Sequence, residues 1–381
     1  MKRRQILRAA YGMAAYGVLP AAIASTQTKT NGNIVLGQSA ALTGPAGELG
    51  VQFRDGALCH FESINARGGI SGRKIELRTL DDGYDPERCT ANTRRLIDEG
   101  VFALFGYVGT ATSMAALRYA NESQKLFFAP FSGSEALRIP FSRYVFHIRA
   151  SYVDETTAIV NHLTTVGIKR IAVFYQNDSE GKAGLLGVGR ALKLRYLSPT
   201  GIGKVERNSD DVEAAVRSIL ESKPDAIVQI AAYHSCAAFI RAARKAGYQG
   251  MFCDLSSVGT QSLIRELPEA SRGVMVSQVM PYPFAATTPI AKEYLATGKA
   301  VLKEKFEPSY SSIEGYVAAR TIVEAMRKAA ENLSQAGVIA ALESLADFDL
   351  GGFNVSFGPK RHSASRMVDL TLLTSEGKIR H

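Results

Sequence analysis

Short apolar runs and helix-period segments alternate along this 381-residue chain, which predicts an α/β fold made of two successive doubly wound units. Three observations carry the expectation. Runs such as Asn33–Ser39, Phe102–Phe105, Arg170–Tyr175 and Ala226–Ala231 have strand length, and most are followed by helical spacing of apolar residues. Small hydroxyl-rich loops follow two of the strands, Gly106–Ser113 and Pro130–Ser134, and in an open parallel sheet such loops gather at the carboxyl edge, where ligands bind. The series then restarts near Tyr152, giving units of roughly 33–149 and 150–276, each of ordinary domain size.

In the first unit, Asn33–Ser39 is a strand and Glu48–Ala66 a helix, closed by the glycines of Arg67–Gly72. Lys74–Leu80 alternates like a strand, Asp81–Pro86 is a turn cluster, and Pro86 suits the first position of a helix over Glu87–Glu99. The stretch from Phe102 to Glu135 reads as strand, loop, helix (Ala111–Lys125), strand (Leu126–Ala129) and loop. Both loops then lie on one sheet edge, with glycine permitting close approach and Thr110, Thr112, Ser132 and Ser134 beside helix-start N–H groups. Tyr144–Ile148 is a fifth strand. The second unit places helices over Thr156–Val166, Gly184–Tyr196, Ser209–Ser222 and Ser235–Ala246. Its strands fall at Arg170–Tyr175, Gly203–Glu206, Ala226–Ala231, Met251–Leu255 and Val274–Val279. The last quarter differs, with helices over Pro289–Lys305, Ser312–Asn332 and Gln335–Leu345, then strands Gly352–Phe357 and Met367–Leu373 expected to pair as a hairpin around Gly358-Pro359. A helical segment without its own sheet is expected to pack back onto an earlier unit.

The N-terminus reads as a signal peptide: basic Lys2, Arg3, Arg4 and Arg8, an apolar stretch Ile6–Val18, and a small-x-small site for cleavage near Ala24. Arg3-Arg4-Gln5-Ile6-Leu7 also fits a twin-arginine signal, so Sec and twin-arginine routes both stay open. Removing residues 1–24 takes away four basic residues and no acidic one, lowering the formal charge from +9 to +5. The remaining charge is scattered, which argues against nucleic acid as a partner. Of the four cysteines, Cys59 and Cys89 fall on helices on opposite faces of the sheet. Cys236 and Cys253 are closer, either as a disulfide or as buried thiols.

Catalytic and cofactor chemistries find no support. The loops lack the lysine of a P-loop, the six histidines show no metal-ligand spacing, and there is no Gly-x-Ser-x-Gly elbow. The glycines of Gly184–Gly189 are in the wrong order for a dinucleotide fingerprint and suit close helix–sheet packing instead. Asp81-Asp82 reads as a strand-end turn rather than a metal pair, and His234 as a capping or surface residue. No cofactor, no metal and no enzymatic activity are expected.

Several motifs together resemble one family. Asn33-Ile-Val-Leu-Gly37, Leu42-Thr-Gly-Pro45, Gly68-Gly-Ile-Ser-Gly72, Leu80-Asp-Asp82, Phe105-Gly106 with its Ser/Thr loop, Ala129-Pro130, Arg149, Arg170-Ile-Ala-Val173, Tyr233-His234 and Glu314-Gly-Tyr316 occur in an order and spacing similar to type I periplasmic solute-binding proteins of ABC importers, the branched-chain amino-acid and amide receptor group. The resemblance covers Asn33 to the C-terminus. It implies two Rossmann-like lobes joined by a three-crossing hinge, lobe 1 being 33–149 plus 277–353 and lobe 2 being 150–276 plus 354–381. It further implies a periplasmic monomer that closes on a small carboxylate, amide or amino acid and delivers it to an inner-membrane ABC permease. A ligand-sensing protein of the same fold is the alternative.

By the same resemblance, Thr110 in the first loop and Phe131, Ser132 and Gly133 in the second face the ligand carboxylate, and Tyr233 faces it from lobe 2. Tyr152 and Tyr282 lie near hinge crossings, where Tyr152 is a candidate cleft residue. Two positions depart from the family pattern. Ser256 stands where amino-acid receptors have a glutamate for the ligand ammonium, and Glu180 stands where an aromatic is expected before Gly181. A buried ammonium without an anionic partner is costly, so the departures favour a carboxylate or amide solute. Asp254, on the same strand face as Ser256, or Asp178 and Glu180 would supply the missing charge.

Overall fold

The computed structural model describes residues 32–267 and 272–380, so the signal-peptide reading lies outside the described residues. The first sheet contains β1 (Ile34–Ala40), β2 (Ile75–Asp81), β3 (Ala103–Phe105), β4 (Phe127–Phe128) and β5 (Val145–Phe146), all parallel, in the order β2-β1-β3-β4-β5. Its crossover helices are α1 (Gly47–Asn65), α2 (Pro86–Asp98) and α3 (Thr110–Glu122). Buried Cys59 on α1 and Cys89 on α2 join different apolar clusters, as expected of helices on opposite faces.

The second half supplies α4 (Tyr152–Thr165), β6 (Ile171–Gln176), α5 (Ser179–Lys193), β7 (Ile202–Val205), α6 (Glu213–Glu221), β8 (Ala226–Ile230), α7 (Tyr233–Lys245), β9 (Met251–Asp254), α8 (Thr260–Glu266) and β10 (Val274–Gln278). The chain then runs through α9 (Pro289–Leu302), α10 (Tyr310–Lys328) and α11 (Gln335–Glu343). Four short strands follow: β11 (Phe348–Asp349), β12 (Asn354–Val355), β13 (Asp369–Leu373) and β14 (Ile379–Arg380). The second sheet has the order β14-β13-β10-β9-β8-β6-β7, parallel from β7 to β10 and antiparallel at the β13-β14 edge.

The helical quarter packs back on the first sheet through α10 against α1. The two backbones nearly touch: a Cβ on Gly56 would lie 1.8 Å from the Ser312 carbonyl oxygen, and one on Gly315 2.0 Å from that of Phe53. Nothing larger than glycine fits at this crossing. Gly184 and Gly187 of α5 play the expected packing role, since added Cβ atoms would meet Ile230 and Thr156 at 2.6 and 2.5 Å.

Several elements differ from expectation. The Gly352–Phe357 and Met367–Leu373 strands do not form a hairpin. Gly351 and Gly352, at φ of 96° and 95°, turn β12 back onto β11 with both N–H groups on Asp349, while β13 completes the second sheet beside β10. Helix α4 starts at Tyr152, four residues before the periodicity indicated, because Ser151 and Asp154 form a reciprocal capping box. Helix α5 starts at Ser179 because Asp178 accepts from the N–H groups of Glu180 and Gly181. The seven-residue α8 is too short to show a period. All four cysteines are buried free thiols, which settles the alternative left open for Cys236 and Cys253.

Arg149, just beyond β5, forms a two-pronged ion pair with Glu314 of α10, both bonds 2.9 Å and both side chains buried. Removing one member leaves the other charge uncompensated in the core, which costs about 3–5 kcal/mol. Equilibrium unfolding in urea is expected to show a loss of that size for Glu314→Ala, much of it restored in Arg149→Met/Glu314→Leu. Equal destabilisation by the single and double changes would show that packing, not charge, holds this position.

Candidate functional site

The loops after β3 and β4 do meet. Gly109, at φ 98°, starts α3 so that Thr110 is its first residue, and backbone bonds between Tyr107 or Gly109 and Phe131 knit the loops together. The Thr110 and Ser132 hydroxyls lie 2.8 Å apart, both fully buried. The phenol of Tyr152, first residue of α4, sits 3.2 Å from Thr110 Oγ1 and donates across 3.2 Å to Glu180 Oε1. Gly133 serves this arrangement by its size, because a Cβ there would lie 2.4 Å from the Tyr152 ring.

Beyond Tyr152, the first turn of α5 closes the space. Tyr84, in the loop after β2, reaches from the first-sheet side and lies 2.9 Å from Glu180 Oε2 and 3.2 Å from Asp178 Oδ2. Tyr84, Val108, Gly109 and Phe131 face Glu180, Ala232 and Ser257 around a cavity of about 10 Å³, roughly one water's worth, with Ala46 and Leu49 at its rim. Burial first, and then the Asp178 carboxylate, push Glu180 up to about 6, against hydrogen bonds from Ser257, Tyr84 and Tyr152 that pull it down.

Other candidates sit elsewhere. Tyr233 opens α7 beside Glu48 and Arg265 and lines an open groove of about 640 Å³ at the cleft mouth rather than the enclosed cavity. Ser256 gives its N–H to Glu155 and lines a second small cavity with Phe131, Arg149 and Glu314. Asp254 is buried at the end of β9 on the Gln229 amide, and it lines neither cavity. Asp178 is the N-cap of α5, set just behind Glu180. The block Asp81-Asp82 is structural: Asp81 accepts from Leu42, Thr43, Gly83 and Arg88, and Asp82 from Ser39 and Tyr84. His234 pairs with Glu266 at 3.0 Å on the surface of α7. Among the described residues no cluster of metal-ligand side chains occurs and no helix is long and apolar enough to cross a membrane.

Tyr84 and Ser257 were not anticipated from the sequence. Tyr84 sits in a turn cluster whose glycine and acids signal only a loop, and Ser257 follows a strand without any periodic cue. Glu180 was visible as a departure, but its approach to the cavity depends on the early start of α5.

Two α/β lobes, each built on a largely parallel sheet, with buried polar groups where they meet, have the architecture of a solute-binding receptor. The sequence profile described as periplasmic binding protein matches residues 33–378, and the chain belongs to that family. The leucine-specific-binding protein of Salmonella typhimurium is 24% identical over 341 residues, 89% of each chain. A solved structure of a possible leucine/isoleucine/valine-binding protein from Rhodopirellula baltica superposes with a TM-score of 0.88 at 34% identity, covering 92% of this chain and 96% of that one. A substrate-binding periplasmic protein from Ralstonia solanacearum gives 0.86 at 31%, covering 91% and 99%. These are solute-binding receptors rather than enzymes, and solute binding is the role of this chain.

Burial pushes Asp254 up to about 7, against hydrogen bonds from Cys236 and Gln229. A carboxyl that holds its proton more tightly folded than unfolded loses stability as pH rises between its two values, here from about 4 to about 7. Asp254→Asn escapes that loss. Its melting temperature is expected to exceed that of the wild type near pH 8 and to lose the advantage near pH 4. An advantage that does not change with pH would show that Asp254 does not carry a buried charge.

Proposed function

We propose that this protein is exported by the segment 1–24, works in the periplasm as a monomer, and captures a small polar solute between its lobes for an inner-membrane ABC permease. The observation that carries the solute reading is the buried Thr110–Ser132 hydroxyl pair at the start of α3, next in sequence to Gly109 and Phe131, which line the enclosed cavity. The first N–H groups of a helix have no partner within it, so a carboxylate or another acceptor group is favoured there. Phe131 lines the cavity, Tyr152 touches the Thr110 hydroxyl, and Gly133 makes room for the Tyr152 ring. The relatives named for leucine, isoleucine and valine support a compact solute with an apolar portion, for which Val108, Phe131 and Leu49 offer contact. Transport is supported by the same family membership.

The lobe division proposed here is 33–149 with 277–353, and 150–276 with 354–381, adjusted where packing asks for it. Strand β10 stays whole in lobe 2. Residues 354–364 go to lobe 1, since β12 pairs with β11 and Ala364 donates to the His147 carbonyl beside β5. The third crossing then follows Ala364.

Closure requires that solute bind both lobes, so the closed population rises with solute. Small-angle scattering is expected to show a smaller radius of gyration once a solute identified by mass spectrometry of the purified protein is added. Thr110→Ala is expected to weaken that solute by about 1–3 kcal/mol in calorimetry. An unchanged dissociation constant removes Thr110 from the site, and unchanged scattering removes closure.

A further inference from the structure

The second small cavity, also about 10 Å³, lies where elements of the two sheets meet, and Arg149, Tyr310, Ser256 and Gln278 are among the residues that line it. Arg149 leaves β5 and Tyr310 opens α10, on the side of the first sheet, whereas Ser256 follows β9 and Gln278 ends β10 in the second sheet. All four are buried, and each carries a side-chain atom without a protein partner: Arg149 Nη1, Tyr310 Oη, Ser256 Oγ and Gln278 Oε1. A buried polar group left unmet is costly, so four around one cavity call for a common partner. Their roles are fixed by their neighbours. Arg149 uses Nε and Nη2 on Glu314, which leaves Nη1 as a donor. Thr371 gives its one hydroxyl proton to the Val276 carbonyl, so toward Gln278 it can only accept. The Gln278 NH₂ group is thereby held on Thr371 and Thr260, both at 3.0 Å, and its carbonyl oxygen is left as an acceptor. Glu155 stands behind Ser256: its Oε2 accepts from the Ser256 N–H and the Ser277 hydroxyl, and its Oε1 has no protein partner.

We propose that this cavity is a binding site for one water molecule, which joins Arg149 and Tyr310 on the first-sheet side to Gln278 and Ser256 of the second. The donor and acceptor set selects the occupant. A cation would meet the Arg149 guanidinium, and an anion would meet the Gln278 carbonyl oxygen with the Glu155 carboxylate behind it. The volume admits about one water and nothing larger. Water also matches the groups one for one. It accepts from Arg149 Nη1 and the Tyr310 hydroxyl, and it donates to Gln278 Oε1 and Ser256 Oγ. The Ser256 proton is then available to Glu155, on which this hydroxyl already acts. None of the four residues lines the cavity at Glu180, so the site stands or falls separately from the solute reading.

High-resolution crystallography of the full exported protein, grown with bromide in place of chloride, tests the occupant. One peak of water-like density is expected within hydrogen-bond reach of Arg149 Nη1, Tyr310 Oη, Gln278 Oε1 and Ser256 Oγ, with no anomalous signal from bromide. No peak there overturns the site, and so does a bromide peak. This readout uses the unaltered chain and does not depend on a variant folding. A double-mutant cycle by urea unfolding tests the bridge, with Tyr310→Phe and Ser256→Ala, each of which removes one hydroxyl. Neither hydroxyl has a protein partner, so no direct bond joins them. Each single change is expected to raise the unfolding constant about five- to tenfold. The double change is expected to raise it by clearly less than the product of the two, because both remove the same water's support. Effects that simply multiply overturn the bridge.

Discussion

The Arg149–Glu314 pair is the interaction on which the rest of the architecture depends. It joins residues 165 positions apart, at the exit of β5 and the first turns of α10. The helical quarter has no sheet of its own, and this pair fixes it to the edge where the first sheet presents its loops. The guanidinium also lies over the Phe131 ring, 4.1 Å from its centroid, so the same charge supports the loop that carries Ser132. Burying an ion pair adds little net stability compared with an apolar replacement, but it tolerates few alternative geometries. Its contribution here is positional: the exit of β5, the α1–α10 crossing and the hydroxyl loop are held to one another.

The contacts across the cleft are of a different kind. Arg265 of α8 bridges Glu48 and Glu307 at 2.6 and 3.0 Å, and Arg207 approaches Asp85 at 3.9 Å, all with substantial exposure. Exposed pairs are each worth at most about 1 kcal/mol and are screened by salt. Such pairs add little to the stability of the arrangement. The buried contacts, Tyr84 on Glu180 and Tyr152 between Thr110 and Glu180, are stronger individually but leave two acids without a counter-charge.

The alternation of strands and helices and the two hydroxyl loops are legible in the sequence, because they depend on period and on glycine and hydroxyl placement. Sequence reasoning missed where periods stop. Ser151–Asp154 and Asp178 are local caps that move the starts of α4 and α5 by four or five residues, and the two-residue strands β11 and β12 are too short to announce their pairing. The misplaced hairpin came from treating Gly358-Pro359 as the turn, when the tandem positive-φ glycines Gly351 and Gly352 make it instead. Tyr84 was illegible for another reason: its role arises from a neighbour 96 residues away, and no local pattern encodes that.

Those caps shape the candidate site directly. With α5 begun at Gly184, Asp178 and Glu180 would belong to a loop, free to turn toward solvent. Begun at Ser179, Asp178 is tied to the Glu180 and Gly181 N–H groups, and Glu180 is carried into the first turn, facing Tyr84 and Tyr152. Gly181 allows the turn to seat this deeply, since a Cβ there would lie 1.9 Å from the Gln176 carbonyl oxygen. The first lobe offers hydroxyls and a helix start, a pole that many acceptor-bearing solutes would satisfy. In the second lobe a single capping aspartate decides which side chain, Glu180, stands at the cavity.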